Sequence, residues 1–187
     1  QVMKAIKEAG IDEQTLVVFT SDNGPWSMFG PHAGTAKPLR GEKGTSWEGG
    51  YRVPGIFRWP GKIKPGRTSG HPSAFWDFLP TACELAGVQP PKDIDGISYL
   101  PELLGKTEEQ KKHEYFYWIW AIRVGKWKLH PAGKNRYKLY DLENDPDERT
   151  NRVEDSGQTA RIADMKGMLE DWFARYVIPD KDGRDRR

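Results

Sequence analysis

The sequence predicts an α/β fold: the closing part of a helix-flanked sheet, then a small antiparallel sheet covered by a C-terminal helix. Three observations carry this. A short helix leads directly into Thr15-Leu16-Val17-Val18-Phe19-Thr20, a nearly continuous apolar run rich in β-branched residues, as in a strand buried on both faces of a parallel sheet. From Glu114 onward the texture changes to short strands with alternating polar and apolar positions, the pattern of an antiparallel sheet with one wet face. About Gln158 to Tyr176, the chain then places Ile162, Met165, Leu169, Trp172, Phe173 and Tyr176 along one helical stripe, which predicts a helix lying over that sheet.

The elements follow in order. Residues 2–10 read as a helix already under way at the first residue, with Val2, Ile6 and Ala9 on one face and Gly10 as its stop. Gln1 is not an initiator Met and no charged-then-apolar leader follows it, so the expectation is a piece of a longer protein. The apolar strand ends in the turn cluster Ser21-Asp22-Asn23-Gly24-Pro25. Residues 24–52 are dense in Gly and Pro but carry Trp26, Phe29 and Trp47, which predicts a long, ordered, functional loop. Val53 to Trp59 is a second strand closed by Pro60-Gly61. Asp77 to Gly87 is a helix with Asp77 as N-cap, Pro80 in the first turn and Gly87 as stop. A short helix follows near Tyr99 to Leu104.

Beyond it, Tyr115 to Ile122 reads as one aromatic strand, Lys126 to His130 as the next and Arg136 to Leu142 as a third. The Lys126, Lys128 and His130 side is the expected solvent face of its strand. The division is therefore 1–113 for the α/β part, 114–179 for the antiparallel sheet with its helix, and 180–187 for a charged tail.

Composition excludes several classes. Across 187 residues, Lys plus Arg is 29 and Asp plus Glu is 27, a net charge of +2, which lacks the basic excess of a nucleic-acid footprint. Hydrophobic residues are 36% and aromatics 12%, with eight Trp, so a packed core is expected rather than disorder. No apolar run approaches the ~20 residues of a membrane span. The single cysteine, Cys83, excludes an internal disulfide and a Cys-based zinc cluster; its apolar helical setting makes it a core residue rather than a nucleophile.

The candidate chemistry sits at the end of the first strand. Asp22 and Asn23 are adjacent hard oxygen donors suited to Ca²⁺ or Mg²⁺, beyond the carboxyl end of a strand, where α/β sheets bind ligands. On spacing alone an Asx-turn that merely ends the strand is the commoner use of such a pair, and two donors are fewer than such ions take. Lys43 lies between glycines that permit close backbone approach, and its ammonium suits an anion, although spacing alone favours a solvated loop lysine. Glu48 and Arg52, four apart, are spaced to brace the loop as a pair. His32 lies in the same loop, and no two of the four histidines stand at metal-ligand spacing on a helix.

Three blocks taken together resemble the C-terminal part of the arylsulfatase family, in the alkaline-phosphatase-like superfamily. They are residues 15–25; residues 38–55 with Arg58-Trp59-Pro60-Gly61; and Val124-Gly125-Lys126-Trp127-Lys128-Leu129 with Leu139-Tyr140-Asp141-Leu142-Glu143-Asn144-Asp145-Pro146. The resemblance implies that Asp22 and Asn23 ligate Ca²⁺ and that Lys43, in the pattern L-R-x-x-K-G-T-x-x-E-G-G, contacts the sulfate. His32 is implied at the pocket rim, and Glu48, Gly49, Gly50 and Arg52 as scaffold. The family's nucleophile is formylglycine, made from Cys or Ser in C/S-x-P-x-R, and no such segment occurs here.

The implied function is thus part of a calcium-dependent sulfatase acting on an aryl or glycan sulfate ester. The N-terminal half of the same protein would be the partner that brings the nucleophile, the isolated chain would be inactive, and the compartment would be periplasmic, secreted or lysosomal. The alternatives are a phosphatase or phosphodiesterase of the same superfamily, or a non-catalytic binding domain derived from a sulfatase.

Overall fold

The structure is a computed structural model and describes residues 1–114, 116–118, 120–133 and 136–176. In chain order its elements are α1 (Val2–Glu8), β1 (Val17–Thr20), α2 (Glu48–Tyr51), β2 (Gly55–Arg58), α3 (Phe78–Ala86), α4 (Leu100–Leu103), β3 (Phe116–Trp118), β4 (Ala121–Val124), β5 (Trp127–Pro131), β6 (Tyr137–Asp141) and α5 (Thr159–Tyr176). They gather into two compact units. Gln1–Ser21 and Pro54–His113 form the first; Asp22–Val53 and the described residues from Glu114 onward form the second. The expected charged tail, 180–187, and Tyr115 lie outside the described residues.

In the first unit α1 stops as its sequence requires. Gly10 takes φ +70°, and the Gly10 and Ile11 amides donate back to Lys7 O and Ile6 O at 3.0 and 3.3 Å. The expectation of a strand buried on both faces is corrected. β1 pairs antiparallel with β2, Val17 opposite Arg58 and Phe19 opposite Ile56, and Phe19 is 63% and Ile56 58% exposed. A strand is doubly buried only where neighbours and helices cover both sides, and the described residues give β1 one neighbouring strand.

The helix expected at 77–87 forms as α3, ended by Gly87 at φ +68°. Asp77 does not cap it. A 3-10 turn, Phe75–Asp77, runs into the helix and gives Asp77 helical angles, φ −77° and ψ −17°, whereas an N-cap sits in the β region. Its buried carboxylate instead accepts the Ala74 and Ile97 amides at 2.7 and 2.9 Å and meets His113 Nε2 at 2.8 Å.

In the second unit β3, β4, β5 and β6 form one antiparallel sheet in that order. The aromatic strand expected over 115–122 is two strands, paired with Trp118 opposite Ala121. No Gly, Pro, Asn or Asp marks that reversal, so the usual punctuation is missing. The stripe on α5 covers the sheet as expected: Ile122, Leu129 and Leu139 pack with Met165 and Leu169, flanked by Ile162 and Phe173.

The expected solvent face of β5 is overturned. Lys128 and His130 are buried, as is Leu129 between them. The strand is covered on both sides, by the α5 core against Leu129 and by the chain around Trp47, Glu48 and Glu148 against Lys128 and His130.

Leu129→Ala should lower stability by about 2–5 kcal/mol, read as a shift in denaturation midpoint. A cost below ~1 kcal/mol would show that Leu129 does not anchor this core.

Candidate functional site

The turn after β1 begins the second unit. Asp22 is exposed, Asn23 half-buried and Gly24 buried. The Gly24 amide donates to Gly50 O at 2.9 Å, and a Cβ on Gly24 would lie 1.8 Å from Gly49 O. Only glycine permits this approach, which presses the turn against α2.

The turn also holds the segment carrying Lys43. The Lys43 amide donates to Pro25 O at 2.9 Å, and the Ser27 amide donates to Glu42 Oε2 at 3.0 Å. Lys43 Nζ lies 5.4 Å from the Trp26 ring centroid, while the side chain as a whole is exposed. The structure thus brings the Asp22–Pro25 turn and the Lys43 segment together. His32 is exposed at the end of a 3-10 turn, Ser27–His32, and no described contact joins it to Asp22, Asn23 or Lys43.

The segment folds back on itself. Gly41 takes φ +82°; Thr45 Oγ1 donates to Glu42 O at 2.7 Å, and the Gly49 amide donates to Arg40 O at 2.7 Å. A Cβ on Gly49 or Gly50 would strike backbone oxygens at 2.5–2.7 Å. These glycines are packing requirements, in keeping with a scaffold role.

Beneath this knot lies a buried charge cluster. Lys128 Nζ is 3.0 Å from both Glu48 Oε1 and Glu148 Oε1. Glu148 Oε2 accepts the Glu48 amide at 2.7 Å, and His130 Nε2 reaches Glu148 Oε1 at 3.0 Å. Arg123 Nη1 stands 3.6 Å from Glu48 Oε2, an oxygen that has no hydrogen bond of its own. Two carboxylates facing Lys128 and Arg123 leave the cluster balanced if His130 is neutral.

Burial does push the His130 pKa below its ordinary 6.5; the neutral ring then donates from Nε2, because a carboxylate only accepts. Burial likewise lowers the Lys128 ammonium, with Glu48 and Glu148 opposing. For Glu148, burial pushes upward, yet the His130 hydrogen bond and the Lys128 charge outweigh it and its pKa falls below 4.5.

Glu148 is also one of the non-glycine residues with positive φ, +54°, a conformation costing on the order of 1–3 kcal/mol. Asp145 holds it there, its carboxylate accepting the Arg149 and Thr150 amides at 3.0 and 2.8 Å.

Sequence reasoning missed this cluster. Glu48 does not rely on an ion pair with Arg52; it engages Lys128 and Arg123. A usable signal existed in Glu48 itself, followed by two glycines in a segment too crowded for side chains. As for a metal, Asp22 and Asn23 supply two hard oxygens, the right chemistry for Ca²⁺. Among the described residues no group of three or more His, Cys, Asp or Glu could hold a metal ion. Asp22 and Asn23 would be two donors of a larger ligand set.

Gly24→Ala should destabilise by about 1–3 kcal/mol through overpacking, while Gly70→Ala, where a Cβ meets nothing within 4 Å, should stay within about 0.5 kcal/mol. Equal shifts in thermal midpoint would refute the close approach. Acid should also destabilise the fold. Below pH 6.5 the unfolded chain binds a proton that buried His130 refuses, so stability falls with pH until the folded pKa is reached. Glu148, stabilising above 4.5, is lost as pH drops through its lower folded pKa. His130→Gln should flatten the part of the denaturation-midpoint profile that starts at 6.5, with His71, also depressed by burial, keeping its share. An unchanged profile would count against a neutral, buried His130.

Comparison with known proteins identifies the family. The family model named Sulfatase matches residues 1–88. Arylsulfatase A of Bos taurus is 41% identical over 139 residues, covering 69% of this chain and 27% of the relative. The PsFucS1 sulfatase from Pseudoalteromonas sp. superposes with a TM-score of 0.79 at 28% identity, over 92% of this chain and 39% of that one. Ps i-CgsB, solved in complex with k-i-k-neocarrahexaose, gives 0.76 at 30% identity, over 91% and 39%. The chain thus spans about a quarter of the length of the curated relative and shares the alkaline-phosphatase-like fold of the solved sulfatases. It belongs to the sulfatase family.

Proposed function

We propose that this chain supplies the sulfate-holding and calcium-side part of a sulfatase that hydrolyses a sulfate ester, carried on a glycan or an aryl group. The observation that carries the reading is the Lys43 amide bonded to Pro25 O at 2.9 Å, which couples the segment bearing the ammonium to the Asp22–Asn23 turn.

A sulfate ester is an anion, and hydrolysis breaks its S–O bond to the leaving alcohol after attack at sulfur. Lys43 would hold a sulfate oxygen through its ammonium and oppose the charge that moves onto the oxygens during attack. Asp22 and Asn23 would offer their side-chain oxygens to Ca²⁺, which would add electrostatic stabilisation of the same charge. Gly24, Gly49 and Gly50 would keep the two segments at backbone contact. The formylglycine nucleophile would come from a C/S-x-P-x-R segment outside these 187 residues, so the chain alone would be inactive. His32 would lie at the pocket rim.

A glycan substrate is supported by likeness to Ps i-CgsB, solved with an oligosaccharide, and an exported compartment, periplasmic, secreted or lysosomal, would suit it. Among the described residues no helix is long and apolar enough to cross a membrane. A phosphatase of the same superfamily would require further His and Asp for a second metal, whereas this turn carries Asn23 and contacts the Lys43 segment.

The full-length protein should turn over an aryl sulfate in preference to the matching aryl phosphate. Lys43→Ala should lower kcat/KM for the sulfate by roughly 10²–10³-fold, with Lys43→Arg restoring only part, since the two cations differ in shape and hydration. Preference for phosphate would favour the phosphatase. No turnover, with no C/S-x-P-x-R upstream, would favour a binding domain derived from a sulfatase.

A further inference from the structure

We propose that Glu148, with Glu48 and Lys128, acts as a positioning residue for Lys43, fixing both ends of the segment that carries it to a single point in the loop after β6. The proposal rests on the reading of Lys43 as the sulfate contact.

The geometry is specific. Lys43 lies between Arg40 and Glu48, and each of these ends on Glu148. Arg40 Nη1 donates to Glu148 O at 2.9 Å, and the Glu48 amide donates to Glu148 Oε2 at 2.7 Å. The Arg40 guanidinium also lies 3.7 Å from the Trp47 ring centroid, and Trp47 stacks on His130 at 4.5 Å, whose Nε2 returns to Glu148 at 3.0 Å. Lys128 closes the arrangement by bridging the two carboxylates.

Stability alone does not explain such a cluster. Buried ions lose hydration that their mutual attraction barely restores, and apolar residues of similar volume often serve a core as well or better. Ions and hydrogen bonds add direction: each contact here admits one placement of the loop. A side chain that must meet an anion within a few tenths of an ångström needs that kind of support, because a misplacement of about 1 Å can cost on the order of 10²-fold in rate. The strained φ of Glu148 is consistent with a residue held for what it orients.

The test is a double-mutant cycle in the full-length protein, with an aryl sulfate as substrate and inorganic sulfate as competitive inhibitor. Glu148→Gln keeps the shape but has one acceptor oxygen in place of two, so it cannot serve both the Glu48 amide and the Lys128 and His130 donors. It should raise KM and the inhibition constant for sulfate by about tenfold or more, and in a Lys43→Ala background it should add less than about twofold. An equal factor in both backgrounds overturns the proposal and leaves Lys43 as a sulfate contact. If Lys43→Ala itself changes neither constant, the sulfate reading falls, and this proposal with it. Should Glu148→Gln fail to fold, Arg40→Lys, at an exposed position, carries the same cycle: a loss confined to the Lys43 background supports the proposal, and an equal loss in both overturns it.

Discussion

The second unit depends on one buried ammonium. Lys128 sits between Glu48 and Glu148 with 3.0 Å to each, and these three side chains are completely or almost completely removed from solvent. An unpaired buried charge costs several kcal/mol, and here the ammonium faces both carboxylates. His130 reaches Glu148 and stacks on Trp47 beside this trio. The cluster joins a strand of the C-terminal sheet to a loop that lies far away in sequence.

β5 shows how one strand serves two purposes. Its Leu129 side enters the apolar layer under α5, which is ordinary packing. Its Lys128 and His130 side meets the glycine-rich loop, a polar layer satisfied by pairing rather than by water. Hydrophobic burial holds the sheet to its helix, and directional contacts hold the loop to the sheet. The turn bearing Asp22 and Asn23 then rests on that loop through Gly24 and Gly50.

Much of this is legible in the sequence, for identifiable reasons. The stripe from Ile162 to Phe173 is a strong 3.6-residue period, and the helix it predicts forms. Gly10 and Gly87 end helices because their left-handed φ is available to glycine. Asp22, Asn23 and Lys43 stand out by motif, and the backbone contact between their segments is what spacing could not supply. Three features are hidden. The reversal between β3 and β4 carries no turn residue. Asp77 resembles a cap because the 3-10 turn before α3 leaves no mark in composition. Lys128 and His130 read as wet because alternation with apolar neighbours signals an exposed face unless the partner charges are known, and those stand at positions 48 and 148.

That separation has a consequence for how the protein is made. The contact between the Glu48 amide and the Glu148 carboxylate closes 100 residues of chain, and closure over such a span comes late, after local structure has formed. During synthesis the loop bearing Lys43 emerges long before its anchor. It stays without its final geometry until the last strands have left the ribosome. A stop or cut between Glu48 and Glu148 yields a chain that still carries the whole Lys43 segment but lacks the carboxylate that accepts the Glu48 amide.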